Sequence, residues 1–361
     1  MSRALILGLA GFGLFVLVGS TVAAIVFVRS LDEEDMRGFA RGVAEGLARG
    51  AGGEGVGGEG LVDDPERFAN DRRALGPTAL PHVPVDRSVP EAPRTPHLEL
   101  VRYAAPLGPQ WAYATPVRTD ARRPAVVYVG GGFDWGIGDV WTPQPYENDQ
   151  SGAAFQRPDL VVMYPSLRGS HDNPGRNECF LGEVDDLLAA GDYLAGRPDV
   201  DPARIYLVGH STGGTLAMLV AAARPRFAGI FAFGPHSHAD YGDDDCFPEG
   251  LPELELKVRS PVDYVDVIRT PTWVIEGEVD GNTAGIEWMK EYVGDAPVRF
   301  LVVPGLDHFS VLRPASDLLV EAIVSGPIVD DPWTAESVTA QWNALVGLDA
   351  MIEDVMAGEP E

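Results

Sequence analysis

Residues 205–214 read IYLVGHSTGG, a serine flanked by glycines directly after an apolar run. Gly209-His210-Ser211-Thr212-Gly213 is a Gly-x-Ser-x-Gly pattern. A sharp strand-to-helix turn that holds a serine hydroxyl outward needs glycines at those flanks, because side chains there would clash. The chemistry such a turn serves is nucleophilic attack on an acyl carbon. A serine at a helix N-terminus also has main-chain N–H groups aimed at the oxyanion that the attack creates. The competing reading is a glycine-rich turn that merely contains a serine. Context favours the nucleophile, since Ile205–Val208 reads as a short apolar strand and Thr212–Ala223 as an alanine-rich helix.

A serine hydroxyl is a poor nucleophile without a base. After a turn of this type the partners follow in the order acid, then histidine. Of the seven histidines, His82 and His97 lie in or beside a proline-rich stretch, His171 precedes the serine and His210 sits within the turn. His236 and His238 come before any good acid site. His308, in VPGLDHF (Val303–Phe309), follows an apolar strand and is the expected base. Asp280, in TWVIEGEVDGN past the strand Thr272–Ile275, is the expected acid that orients its ring. Glu276, Glu278 and Asp307 are rivals, whereas Asp263, Asp266 and Asp295 lack a preceding strand end. An oxyanion site needs a second amide from the loop after the third strand. Gly130-Gly131-Gly132-Phe133 occupies that place, so Gly131 and Gly132, with Thr212, are the expected donors.

These residues can converge only if strands and helices alternate, and they do. Leu98–Ala104 and Gln110–Thr115 read as a first pair of strands. Ala125–Val129, Leu160–Tyr164, Ile205–Val208, Gly229–Phe233, Thr272–Ile275 and Val298–Val303 are further strands, mostly continuous apolar runs. Helical spacing marks Glu178–Leu194, Thr212–Ala223, Gly285–Tyr292 and Ser310–Val324. Fully apolar strands separated by helices imply an α/β fold, a mostly parallel sheet covered on both faces.

Outside that domain the chain changes character. Ala4–Val28 is uncharged and apolar between Arg3 and Arg29, long enough to span a bilayer. We expect residues 1–30 to form an N-terminal membrane anchor, with a signal peptide as the alternative. Residues 31–96, rich in glycine and then proline, read as a flexible-to-extended linker. The folded domain is expected at 97–327, and 328–361 reads as an acidic tail with one helix near Ala335–Val355. The arginines after the apolar segment point the domain inward, but a long domain translocates regardless of loop charge. The expectation adopted is an extracytoplasmic catalytic domain. A net charge of −27 argues against nucleic acid or anionic lipid as a partner of its surface. Cys179 and Cys246 lack CxxC spacing, so they are either two buried thiols or one disulfide.

Five stretches together resemble the α/β-hydrolase fold, and within it the catalytic domains of prolyl-oligopeptidase-like and dienelactone-hydrolase-like enzymes. They are VVYVGGGF, YPSLRGS (Tyr164–Ser170), DPARIYLVGHSTGG (Asp201–Gly214), SPVDYVDVIRTPTWVIEGEVDGN (Ser260–Asn282) and VPGLDHF. The resemblance covers about Ala125–Val324 and implies Ser211, Asp280 and His308 as the triad of a serine hydrolase that uses no cofactor or metal. Peptidases of this type usually carry a large N-terminal propeller. Here a tether and two strands stand in its place, which favours esters over peptides as substrates. Such enzymes often have His-Gly where this chain has Glu276-Gly277. The insertion 234–260 falls where a small cap shapes the pocket, and its histidines and acids read as a solvated loop. Arg168, His171 and His210 are candidates for the cleft wall. An inactive, membrane-tethered binding domain is the competing class.

Overall fold

The structure, a computed structural model, describes residues 64–80, 87–239 and 246–357, together with three short strands nearer the N-terminus. It divides into two units, Met1–Asp63 and Asp64–Glu361. In the first, Leu7–Leu9, Leu14–Val16 and Ile25–Val26 pair antiparallel. The expected span Ala4–Val28 otherwise lies outside the described residues. Where it is described it is extended, and no helix among the described residues is long and apolar enough to cross a membrane.

The second unit is built on eight strands. They are β1 (Glu99–Ala105), β2 (Gly108–Ala114), β3 (Arg123–Val129), β4 (Val161–Pro165), β5 (Val200–His210), β6 (Gly229–Phe233), β7 (Thr272–Val279) and β8 (Val298–Asp307). Their order across the sheet is β8-β7-β6-β5-β3-β4-β2-β1. Only β2 runs against its neighbours, β1 and β4; every other pairing is parallel. Parallel strands need crossovers, and the helices that supply them cover both faces. That is why β3, β4 and β6 are buried from end to end.

Alternation along each strand divides the core in two. Ala125, Val127, Val161, Met163, Leu207, Ile230 and Val274 face one side. Against them pack α2 (Glu183–Ala195), α3 (Thr212–Ala223) and α5 (Thr283–Tyr292). Val126, Val162, Val208, Phe231, Trp273 and Ile275 face the other side, covered by α6 (Leu312–Ser325) and α7 (Ala335–Ala357). Trp333 and Val338 of the acidic tail are therefore part of the core. Trp333 lies 5.6 Å from Phe231 and 5.7 Å from Phe233 between ring centroids.

The linker boundary needs correction. Residues 64–80 are packed on the domain, not a tether. They include α1 (Arg67–Leu75), whose Phe68 is 0% exposed and lies 4.7 Å from the Tyr264 ring. Arg67 bonds both carboxylate oxygens of Asp266 and the Asp263 carbonyl, and Arg72 bonds Asp185 and the Leu181 carbonyl. Thr78 Oγ1 and the Ala79 N–H donate to Glu255 at 3.0 and 2.5 Å, on α4 (Glu253–Lys257). The folded body thus begins near Asp64. In the expected cap at 234–260, Cys246 is joined to Cys179 by a disulfide with the Cα atoms 5.6 Å apart. Residues 240–245 lie outside the described residues.

Candidate active site

The site is made where β5 turns into α3. Ser211 has φ 56° and ψ −119°, a left-handed backbone that a non-glycine residue adopts only under constraint. The constraint is close packing on both sides. A Cβ at Gly209 would sit 2.1 Å from the Gly213 carbonyl oxygen, and one at Gly213 would sit 2.4 Å from that of Gly130. The Ser211 N–H donates to the Phe233 carbonyl at 2.8 Å, and its own carbonyl accepts the Thr215 N–H at 2.9 Å. Strand, serine and helix are thereby locked in one bend.

The glycine loop after β3 lies against this bend. A Cβ at Gly131 would come within 3.0 Å of Ser211 Cβ, and Thr212 Oγ1 donates to the Gly132 carbonyl at 2.6 Å. Gly131 also lines a cavity of about 290 Å3 whose walls include Tyr128, Trp135, Ile137 and Tyr164. The expected oxyanion donors, Gly131, Gly132 and Thr212, are therefore together beside Ser211.

His308 follows β8 and reaches the same edge. Its Nδ1 lies 3.0 Å from Glu276 Oε2, so the ring pairs with Glu276 and not with the expected Asp280. Sequence spacing favoured Asp280 because the strand was expected to stop at Ile275; β7 instead runs on to Val279. Glu276 is consequently the last buried side chain of the strand on its face, 0% exposed. Asp280 lies beyond it, exposed and at φ 51°. A buried carboxylate needs donors to offset its lost hydration. Glu276 has three: the Gly277 N–H and the Asn282 N–H, each at 2.8 Å, and the His308 ring. Among the rivals, Glu278 is exposed and Asp307 shapes its own loop. Asp307 accepts from the Phe309 and Ser310 N–H groups and Ser310 Oγ. Burial alone would raise the Asp307 carboxyl, but those hydrogen bonds hold it below its usual range.

Two residues missed at the sequence level complete the setting. Gly234, at φ 56°, has no room for a side chain, because a Cβ would lie 2.4 Å from His308 Cε1. Asn282 donates through Nδ2 to the Gly234 carbonyl at 2.9 Å while its N–H holds Glu276. A signal for Glu276 existed. An acid within the buried run Thr272–Ile275-Glu276 must have a polar partner, and it stands where enzymes of this type often carry histidine.

The three expected cleft residues have structural partners of their own. Arg168 is buried, with Nε and Nη2 on Asp186 at 2.9 Å and Nη1 on Glu178 at 3.0 Å, so it braces α2. His171 Nδ1 pairs with Ser88 Oγ at 2.9 Å and its Nε2 accepts the Ile137 N–H at 3.0 Å, which props the cavity wall from behind. His210 is 1% exposed, with its ring 4.8 Å from that of His308. Burial, with the nearby His308, lowers its pKa to about 3 and keeps it neutral. The His308 main chain acts on it electrostatically, yet neither ring nitrogen has a hydrogen bond of good geometry among the described residues. Ser211 Oγ is likewise not hydrogen-bonded to His308 here; such pairs are often long without substrate and tighten on binding.

The strand order, the bend at Ser211 and the acid-histidine pair define an α/β-hydrolase fold, and comparison with known proteins agrees. Residues 153–321 match the model of the Peptidase_S9, or prolyl oligopeptidase, family. The chain is 32% identical over 150 residues to an uncharacterized protein of Mycobacterium tuberculosis strain H37Rv, covering 41% of this chain and 53% of that one. It is 32% identical over 145 residues to the "Uncharacterized peptidase YtmA" of Bacillus subtilis, covering 36% and 56%. The matches thus span about half the length of these curated relatives. Among solved structures, the acylaminoacyl peptidase of Pyrococcus horikoshii superposes with a TM-score of 0.54 at 15% identity, covering 67% of this chain and 44% of that one. Residues 153–321 thus resemble the prolyl oligopeptidase family, on an α/β-hydrolase fold.

Proposed function

We propose that this chain is a serine hydrolase that cleaves a carboxylic ester through an acyl-enzyme. Ser211 Oγ attacks the acyl carbon while His308 Nε2 takes its proton. The same proton then passes to the leaving alcohol. Water, activated by His308, releases the acid and restores the serine. Glu276 accepts the His308 Nδ1–H, which fixes the tautomer with a free Nε2 and stabilises the imidazolium. Amides of Gly131 or Gly132 and of Thr212 bind the oxyanion. The observation that supports this most is the 3.0 Å contact of His308 Nδ1 with buried Glu276, on the same sheet edge as the strained Ser211 turn.

The second reading is a peptidase, favoured by the family match over residues 153–321. Turnover of p-nitrophenyl butyrate against aminoacyl and prolyl p-nitroanilides separates the two. The ester reading expects faster ester turnover, lost in Ser211→Ala; faster anilide turnover would reverse the order. No turnover of either by folded protein would leave the binding-domain reading. We further propose that the apolar segment Ala4–Val28 tethers the enzyme to a membrane with its catalytic domain outside the cytoplasm. Carbonate extraction and protease shaving of intact cells test this, and release of the full chain by carbonate would contradict it.

A further inference from the structure

The loop proposed to carry the oxyanion amides is held at several points. Thr212 holds it through the Gly132 carbonyl, Ser170 Oγ through the Asp134 carbonyl and the Leu167 N–H through the Trp135 carbonyl. A further hold is Asn177, a buried side chain from a different part of the chain. Asn177 Oδ1 accepts the Trp135 Nε1–H at 3.1 Å and the Cys179 N–H at 2.9 Å, while Nδ2 donates to the Phe133 carbonyl. One amide therefore uses both ends to join the Gly130–Trp135 loop to the Cys179 loop.

The Cys179 loop is itself under constraint. Cys179 and Phe180 are consecutive non-glycine residues at φ 50° and 75°. Such backbone persists only where surrounding structure imposes it. Here the imposition is a cross-link and a ring cluster. Cys179 is bonded to Cys246, and the residues that follow each cysteine, Phe180 and Phe247, stack 6.0 Å apart. Phe133 packs against both, at 5.6 and 6.1 Å. The residue next to Gly132 is thus gripped by aromatic rings that the disulfide brings together.

We propose that Asn177 is a positioning residue for the oxyanion loop, and that the Cys179–Cys246 disulfide holds it in place, so that reducing the bond lowers turnover. The proposal rests on the serine-hydrolase reading. Oxyanion donors act in the transition state more than in the bound ground state. Displacing them should lower kcat and leave KM nearly unchanged. In the reductive step a thiolate of dithiothreitol attacks one sulfur to form a mixed disulfide. Its second thiol then closes the oxidised ring, which leaves both cysteines as thiols.

The test uses the full chain, p-nitrophenyl butyrate, and active-site titration with a fluorophosphonate, so that kcat is counted per competent site. Failure of wild type to react with the fluorophosphonate would sink the hydrolase reading itself. With wild type active, Asn177→Asp keeps the acceptor but replaces the donor to Phe133 by a repelling oxygen. It should lower kcat by about tenfold or more, less than complete loss of a donor, with KM within about twofold. A kcat per site within about twofold of wild type overturns the positioning role. If that variant does not fold, wild type in dithiothreitol decides: kcat should fall once two free thiols per chain are counted, and recover on reoxidation. Undiminished kcat in the fully reduced enzyme overturns the role of the disulfide.

Discussion

At the scale of residues, the identity of the acid is the sharpest point. Glu276 is buried and hydrogen-bonded to His308, whereas Asp280 is exposed past the strand end. Replacing a triad acid by its amide leaves the shape but inverts the hydrogen-bond role, at a cost on the order of 10^3–10^4 in kcat. Glu276→Gln should show a loss of that order, and Asp280→Asn should stay within about threefold. The reverse ranking in ester turnover would restore Asp280 as the acid. His210 gives an independent check through pH. Its folded pKa of about 3 lies below the usual 6.5, so the unfolded chain binds the extra proton between those values. The stability it confers is whole above pH 6.5 and is lost as pH falls toward 3. The slope is at most about 1.4 kcal/mol per pH unit. His210→Phe should therefore lose less stability than wild type between pH 6.5 and pH 4 in urea melts, and equal slopes would contradict a neutral buried ring.

At the scale of elements, what the sequence reveals depends on how locally an element is determined. AVVYV, LVVMY and GIFAF were legible as strands because short apolar runs bounded by turn residues suit a doubly covered sheet. The turn at Ser211 was legible because its glycines, strand and helix are contiguous. Glu276 was legible only as a rival to Asp280, since the end of β7 is set by pairing with β8, which sequence periodicity does not report. Helix α1 was missed for a related reason. Its one buried anchor is Phe68, and its arginines find Asp266 and Asp185 far along the chain. This predicts two truncations with opposite outcomes. A chain starting at Asp64 should melt close to the full-length catalytic unit. One starting at His97 should melt well below it, because losing a buried phenylalanine alone costs about 3–5 kcal/mol. Equal melting temperatures would mean that residues 64–80 contribute nothing to the fold.

At the scale of the whole molecule, the alternating apolar runs were enough to anticipate the layered sheet. They could not indicate that the acidic tail carries Trp333 into the core against Phe231 and Phe233, nor that Cys179 and Cys246 meet across the domain. Both depend on distances through space. In the proposed function, His308 and Glu276, distant in sequence from Ser211, activate its hydroxyl. Treating the folded full chain with a fluorophosphonate and mapping the adduct by peptide mass spectrometry tests it most directly. One adduct is expected, on Ser211, lost in Ser211→Ala and strongly slowed in His308→Ala. An unlabelled wild type, or labelling that persists in Ser211→Ala, would contradict it.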